Sequence, residues 1–142
     1  MITVRHLLQD KGRDVYSVGP DDPVLEAIRQ MAEHHVGALL VMRGTELAGI
    51  VSERDYARKV ILLGRSSSTT AVREIMSSPV FTLPPDSTID EAMRLMTDHR
   101  IRHLPVVANG RVLGVVSIGD LVKSVIEDQR HTIDELNSYI RG

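Results

Sequence analysis

The chain has 142 residues and a formal net charge of −2, a balance that excludes a protein whose main task is to neutralise phosphate backbones, so no nucleic-acid partner is expected. Aromatic residues make up 3%, with no Trp, which excludes a base-stacking surface and leaves an aliphatic core of Val, Ile, Leu, Met and Ala. The absence of Cys excludes disulfides, thiolate metal sites and cysteine nucleophiles.

In chain order, "VRHLL" (Val4 to Leu8) opens a segment whose scattered charges leave no apolar run for a signal or membrane-spanning helix; a soluble, cytoplasmic protein is expected. "VYSV" from Val15 reads as extended. In "DDPVLEAIRQMAEHH", Asp22 is expected at the N-cap and Pro23 at the first helical position, with Val24, Ala27, Ile28 and Met31 forming one apolar stripe. "ALLVM" and "LAGIV" are apolar runs that read as buried strands, with Gly49 expected at a strand-entry turn. A further helix is expected to begin at Ser52 and to end after Leu63, where "LGRSSSTT" marks a linker.

The pattern then repeats. Placing Val15 on Val80, an offset of 65 positions, keeps register without a gap to Ile61 and Ile126, with about a third of the positions identical, which identifies a duplication. "VREIM" (Val72 to Met76) matches "VRHLL", "VFTL" matches "VYSV", and Ile89, Ala92, Met93 and Met96 restate the helical stripe. "LPVV" and "VLGVV" flank Asn109-Gly110, a two-residue hairpin signal, since both residues tolerate positive φ. The closing "HTIDELNSYIRG" carries an expected capping box, Thr132 with Glu135, and an apolar face of Ile133, Leu136, Tyr139 and Ile140; this helix docks on its own body or on a twofold-related chain.

These elements predict a mixed α/β (α+β) protein of two β-α-β-β-α repeats. The expected organisation is residues 1–63 for the first repeat with its N-terminal segment, 64–70 for the linker, 71–128 for the second repeat and 129–142 for the terminal helix. Units of roughly 50 to 60 residues are marginal alone, so the two should pack together.

Each repeat closes on Gly-apolar-apolar-Ser-x-x-Asp: "GIVSERD" at Gly49 to Asp55 and "GVVSIGD" at Gly114 to Asp120. Helix capping alone accounts for Ser and Asp at this spacing, the serine accepting from a free backbone N–H and the aspartate reaching back. The same geometry also allows a ligand. A helix N-terminus suits an anion, but a carboxylate there repels phosphate and favours neutral hydroxyls. Asp55 and Asp120 would then accept from a ribose diol, while Ser52 and Ser117, or the helix-end amides, face a phosphate; a nucleotide has both groups.

With these two motifs in matched register, and "HRIRHLPVV" in the second copy, the chain resembles a tandem pair of CBS domains, a Bateman module, over nearly its whole length. The resemblance implies pseudo-twofold packing of the repeats through their sheets, with two clefts between them. It implies binding of adenosine-containing ligands (AMP, ADP, ATP, NAD or S-adenosylmethionine), a homodimer, and possible regulation of a partner protein. It puts ribose recognition on Asp55 and Asp120, phosphate contacts on Ser52, Ser117, Arg102 and His103, and the adenine near Ser17, Thr82, Leu39, Leu104 and Pro105. The first copy has Gly37 and Ala38 in place of Arg102 and His103, but carries Arg54 and Arg58; Gly119 replaces Arg54 in the second copy and Lys123 matches Arg58. Two electrostatically unequal sites are expected.

Other chemistries are weaker. His99 and His103 span a helix end and a strand start, so they lack the spacing of a metal-binding helix, and no metal site is expected. No serine sits in a nucleophile elbow and no carboxylates form a metal-ligand pattern, so catalysis is not expected. The competing function is a ligand-free scaffold whose repeats serve only to dimerise.

Overall fold

The computed structural model describes residues 2–12 and 14–141; Met1, Arg13 and Gly142, which fall in the expected N-terminal segment, its connector and the terminal helix, lie outside the described residues. In chain order the elements are α1 (Val4–Lys11), β1 (Ser17–Val18), α2 (Val24–His34), β2 (Ala38–Arg43), β3 (Glu46–Ser52), α3 (Glu53–Tyr56) running into a π-helical turn (Ala57–Ile61), a 3-10 turn (Val72–Glu74), α4 (Ile89–His99), β4 (His103–Ala108), β5 (Arg111–Ser117) and α5 (Ile118–Arg141). They form two compact units: one is Asp14–Phe81, the other Met1–Arg13 with Thr82–Gly142.

In the unit of Asp14–Phe81, β1 lies parallel to β2 with Ser17 opposite Leu40, and β2 pairs antiparallel with β3. In the other unit β4 pairs antiparallel with β5, and the third strand shrinks to one parallel bridge between Leu83 and Val106. The expected strands "VYSV" and "VFTL" are thus shorter than their sequences read. After Leu83, which exchanges hydrogen bonds with Pro105 and Val107, come Pro84 and Pro85, which have no N–H to continue a ladder.

The 65-residue offset carries through to backbone detail. Helices α2 and α4 have matched bounds and both end on a left-handed residue, His35 at φ 55° and Arg100 at φ 54°. The register slips at Val41/Met42 in one hairpin and at Val106/Val107 in the other, which are equivalent positions. Asn109 and Gly110 take positive φ (52° and 75°), as a tight hairpin turn demands.

The apolar stripes face aliphatic cores. Val24, Ala27 and Met31 pack with Leu39, Val41 and Val51 in one unit. Ile89, Ala92 and Met96 pack with Leu104, Val106 and Val116 in the other.

Three local expectations are corrected. Pro23 is the N-cap of α2, and the Asp22 carboxylate instead accepts from the Gly19 N–H at 2.8 Å. The linker supplies the cap: Val24 N–H donates to Thr70 O at 2.8 Å and Leu25 N–H to Ser67 O at 3.0 Å, satisfying the first free donors of α2. Thr132 caps nothing, because α5 runs unbroken for 24 residues and the Thr132 hydroxyl donates one turn back to Asp128 O at 3.1 Å. Gly49 sits inside β3 opposite Val41, not in a turn.

The reason for that glycine is a close approach. A Cβ built on Gly49 would lie 2.6 Å from Met76 Sδ, and one on Gly114 would lie 2.8 Å from Leu8 Cδ2. Met76 and Leu8 belong to the matched segments "VREIM" and "VRHLL". Each segment also binds through its valine: Val72 N–H donates to Asp22 O and Val4 N–H to Ser87 O, both at 2.9 Å. Every unit is therefore completed by the short segment that precedes the other repeat in sequence.

Candidate functional site

The hairpin register brings the start of one strand to the end of the next. Ala38 lies opposite Ser52, and His103 opposite Ser117. A backbone hydrogen bond then ties each helix start to the preceding strand entrance: Glu53 N–H donates to Gly37 O at 3.0 Å, and Ile118 N–H to Arg102 O at 2.8 Å. The Ser-x-x-Asp turn thus stands beside Gly37 and Ala38 in the first repeat and beside Arg102 and His103 in the second.

Both aspartates turn onto their own backbone. Ser52 N–H donates to Asp55 Oδ2 at 3.0 Å and Asp55 N–H to Ser52 Oγ at 3.2 Å, a closed capping box. Ser117 N–H donates to Asp120 Oδ2 at 2.8 Å and Asp120 N–H to Ser117 Oγ at 3.2 Å. The repeated motif therefore starts a helix in each unit.

Each carboxylate also holds a lysine. Lys59 Nζ lies 3.2 Å from Asp55 Oδ1 and donates to Ile75 O at 2.9 Å. Lys11 Nζ lies 2.6 Å from Asp120 Oδ2 and donates to Val115 O at 2.7 Å. The repeat does not relate these lysines, for Lys59 aligns with Ser124, and Lys11 comes from α1. Two unrelated parts of the chain place an ammonium on equivalent carboxylates.

Charge follows from this arrangement. Burial works against an ionised Asp120, but the Lys11 hydrogen bond, the Ser117 backbone and the Lys11 charge outweigh it and hold the carboxyl below its ordinary range. Burial first, then the nearby charges of Lys11 and Arg102, push the His103 imidazole below its ordinary value, with Asp120 opposing. At neutral pH His103 is a neutral hydrogen-bonding group. Arg102 and Lys11 carry the positive charge in that corner.

The remaining sequence-derived positions differ in access. Arg54, Arg58, Arg102, Ser17 and Thr82 are exposed, with Arg54 on α3 and Arg58 on the π-helical turn that follows. Leu39 and Leu104 are buried members of the two cores, and Pro105 is buried too. Their side chains are committed to packing. Sequence reasoning missed Lys11 and Lys59. Lys59 was visible as an i,i+4 partner of Asp55 on a helix. Lys11 had no local signal, being 109 positions from Asp120.

Among the described residues no three His, Asp or Glu side chains gather as a metal site, and no helix is long and apolar enough to cross a membrane. His34 stacks on Tyr16 with ring centroids 3.7 Å apart.

Comparison with known proteins follows the same two repeats. The CBS domain family matches residues 1–62 and 72–127. The CBS domain-containing protein CBSX3, mitochondrial, of Arabidopsis thaliana is 42% identical over 149 residues, covering 99% of this chain and 72% of that protein. A solved protein with CBS domains from Burkholderia ambifaria MC40-6 is 55% identical with a TM-score of 0.86, covering 89% of this chain and 96% of that one. A CBS domain pair solved in complex with 5-methylthioadenosine and S-adenosyl-L-methionine shares the fold at 22% identity, with a TM-score of 0.80 over 90% of this chain and 98% of that one. Duplicated sequence, matched backbone and these likenesses lead to one conclusion: the chain belongs to the CBS-domain family and carries two CBS repeats.

Proposed function

We propose that this protein is a cytoplasmic regulatory module that binds an adenosine-containing ligand, AMP, ADP, ATP or NAD, and passes its occupancy to the shape of a homodimer or to a partner protein. The observation that supports this reading is the carboxylate-lysine pair repeated at each strand-to-helix junction. Capping uses Oδ2 of Asp55, while Oδ1 holds only an ammonium among the described residues. A carboxylate offers about four acceptor positions, so capping does not exhaust it. The two hydroxyls of a ribose can donate to it in place of the lysine, and the displaced ammonium is then free to meet a phosphate. Arg54 and Arg58 in the first repeat, and Arg102 in the second, are exposed cations for the same tail, with Ser52, Ser117 and His103 as uncharged contacts. The adenine would lie along Ser17 and the backbone near Leu39 in the first repeat, and along Thr82 and the backbone near Leu104 and Pro105 in the second.

The adenosine moiety is common to all these ligands and to the two molecules held by the CBS pair described above. No residue here is assigned a catalytic role. Such a module acts only if the ligand binds two conformations unequally.

One observation favours a second reading, a ligand-free dimerisation scaffold: both capping boxes are complete without a ligand. Thermal melting of the purified protein with adenosine, AMP, ADP, ATP, NAD and S-adenosylmethionine separates the two, since a ligand of the folded state raises the melting temperature. The sensor reading expects at least one compound to raise it, with the rise lost in Asp55→Ala or Asp120→Ala. If no compound shifts it, the scaffold reading stands.

A further inference from the structure

The two carboxylates hold their lysines on different oxygens. In Asp55, Oδ2 takes the helix cap, accepting from the Ser52 N–H and from the Ser52 hydroxyl, both at 3.0 Å, and Oδ1 takes Lys59 Nζ at 3.2 Å. In Asp120 the Ser117 N–H and Lys11 Nζ both fall on Oδ2, at 2.8 and 2.6 Å, and no described residue donates to Oδ1. That oxygen is not sealed in. Among the described residues no buried side-chain oxygen or nitrogen lacks a partner, so the unpartnered Oδ1 meets solvent.

The cause lies in where each lysine starts. Lys59 follows Asp55 by four positions on the same helical segment, so it reaches the oxygen that the cap leaves over. The matching position in the second repeat is Ser124, which carries no charge. Its lysine comes instead from the end of α1, where it is held by Val115 O at 2.7 Å and by the oxygen that already caps α5.

A ribose diol needs a carboxylate oxygen to accept it. At Asp120 one is open with Lys11 left in place. At Asp55 the diol must first displace Lys59, which keeps Ile75 O as an acceptor at 2.9 Å but loses its counter-ion. A neutral nucleoside offers the ammonium nothing in exchange. A 5′-phosphate supplies a new anion, and Arg54 and Arg58 on the same segment are exposed to meet it as well.

We infer that Lys59 sets the specificity of the first repeat: its site admits an adenosine compound only with an anionic 5′ group, while the site of the second repeat accepts neutral and anionic compounds alike. This selection presupposes the ribose contact at Asp55 proposed above and adds a difference in ligand class between the two sites.

Calorimetry of the full-length protein with adenosine and, separately, with AMP tests it. Adenosine should fill one site per chain and AMP two. In Lys59→Met the changes have opposite signs: adenosine gains a second site, while AMP weakens by about tenfold or more at one of its two, because a hydrogen bond between charged groups is lost there. A helix merely loosened by the substitution would not bind adenosine better. Lys59→Gln, which keeps a donor for Ile75 O, should act as Lys59→Met does, and Lys11→Met should leave adenosine at one site. With AMP binding intact, adenosine filling both wild-type sites or neither, or filling no more than one in the two Lys59 variants, overturns the selection and leaves nucleotide binding standing. Binding of neither compound to the wild type overturns the ligand reading, and the selection with it.

Discussion

Lys11 Nζ lies 2.6 Å from Asp120 Oδ2, joining the end of α1 to the first turn of α5 across 109 positions of sequence. One carboxylate therefore does two jobs, capping α5 and tethering α1, and substitutions separate them. Asp120→Ala removes both, and the loss of a cap alone costs about 0.5–2 kcal/mol. Asp120→Asn keeps an acceptor for the Ser117 N–H and loses only the ion pair, which in this partly exposed setting is worth about 0.2–1 kcal/mol. Chemical denaturation should rank the wild type above Asn and Asn above Ala, and Lys11→Met should cost less in the Asn background than in the wild type, because there it loses the hydrogen bond to Val115 O but no ion pair.

Acid should weaken the protein in two steps. His103 has its folded pKa lowered, mainly by burial, so protonation favours the unfolded chain. Its contribution is intact above the ordinary imidazole value of 6.5 and is lost as pH falls below it. Asp120 is also lowered, so its stabilisation is present above the ordinary 3.8 and disappears as pH drops through the still lower folded value. Melting temperature followed from pH 8 downward should fall in both ranges, and His103→Gln should flatten the upper one. An unchanged upper step in that variant would place its origin elsewhere.

If a nucleotide binds beside each junction, the two sites will differ. The first repeat presents Arg54, Arg58 and Lys59, the second Arg102 and Lys123 with a neutral His103 and with Lys11 brought in from α1. Calorimetry with AMP should resolve two affinities. Arg102→Ala should weaken one class by about tenfold or more and leave the other alone, because a hydrogen bond to a charged group is worth about 1.5–3 kcal/mol. Adenosine, which lacks the phosphate, should be insensitive to this change.

Gly114→Ala tests how tightly α1 is seated. The added methyl meets Leu8, which is only 1% exposed and has no room to retreat. Overpacking of this kind costs about 1–3 kcal/mol. Hydrogen exchange should show the loss first in Val4–Lys11, while amides of α2 keep their protection.

Much of the architecture was legible because it was written twice. Matched stripes located α2 and α4, the apolar runs located both hairpins, and Asn109-Gly110 named its own turn. The errors arose where a distant segment supplied what a local rule assigns to a neighbour. Asp22 looked like a cap, yet Ser67 and Thr70 take the α2 donors. Thr132 with Glu135 looked like a helix start, yet the residues before it already form a helix that nothing interrupts. At the two strand-to-helix junctions, the capping role of Ser52, Asp55, Ser117 and Asp120 was legible from their spacing. Lys59 was legible as an i,i+4 partner of Asp55, whereas Lys11 pairs from α1, which leaves no trace in local periodicity.

The exchanged segments also impose an order on assembly during synthesis. Residues 14–81 are contiguous and can collapse as soon as they leave the ribosome. α1 leaves the ribosome before that unit, but its seat on β5 and the Asp120 that tethers it are made after it. That helix must therefore wait, unburied, through the synthesis of a whole intervening unit before its seat exists.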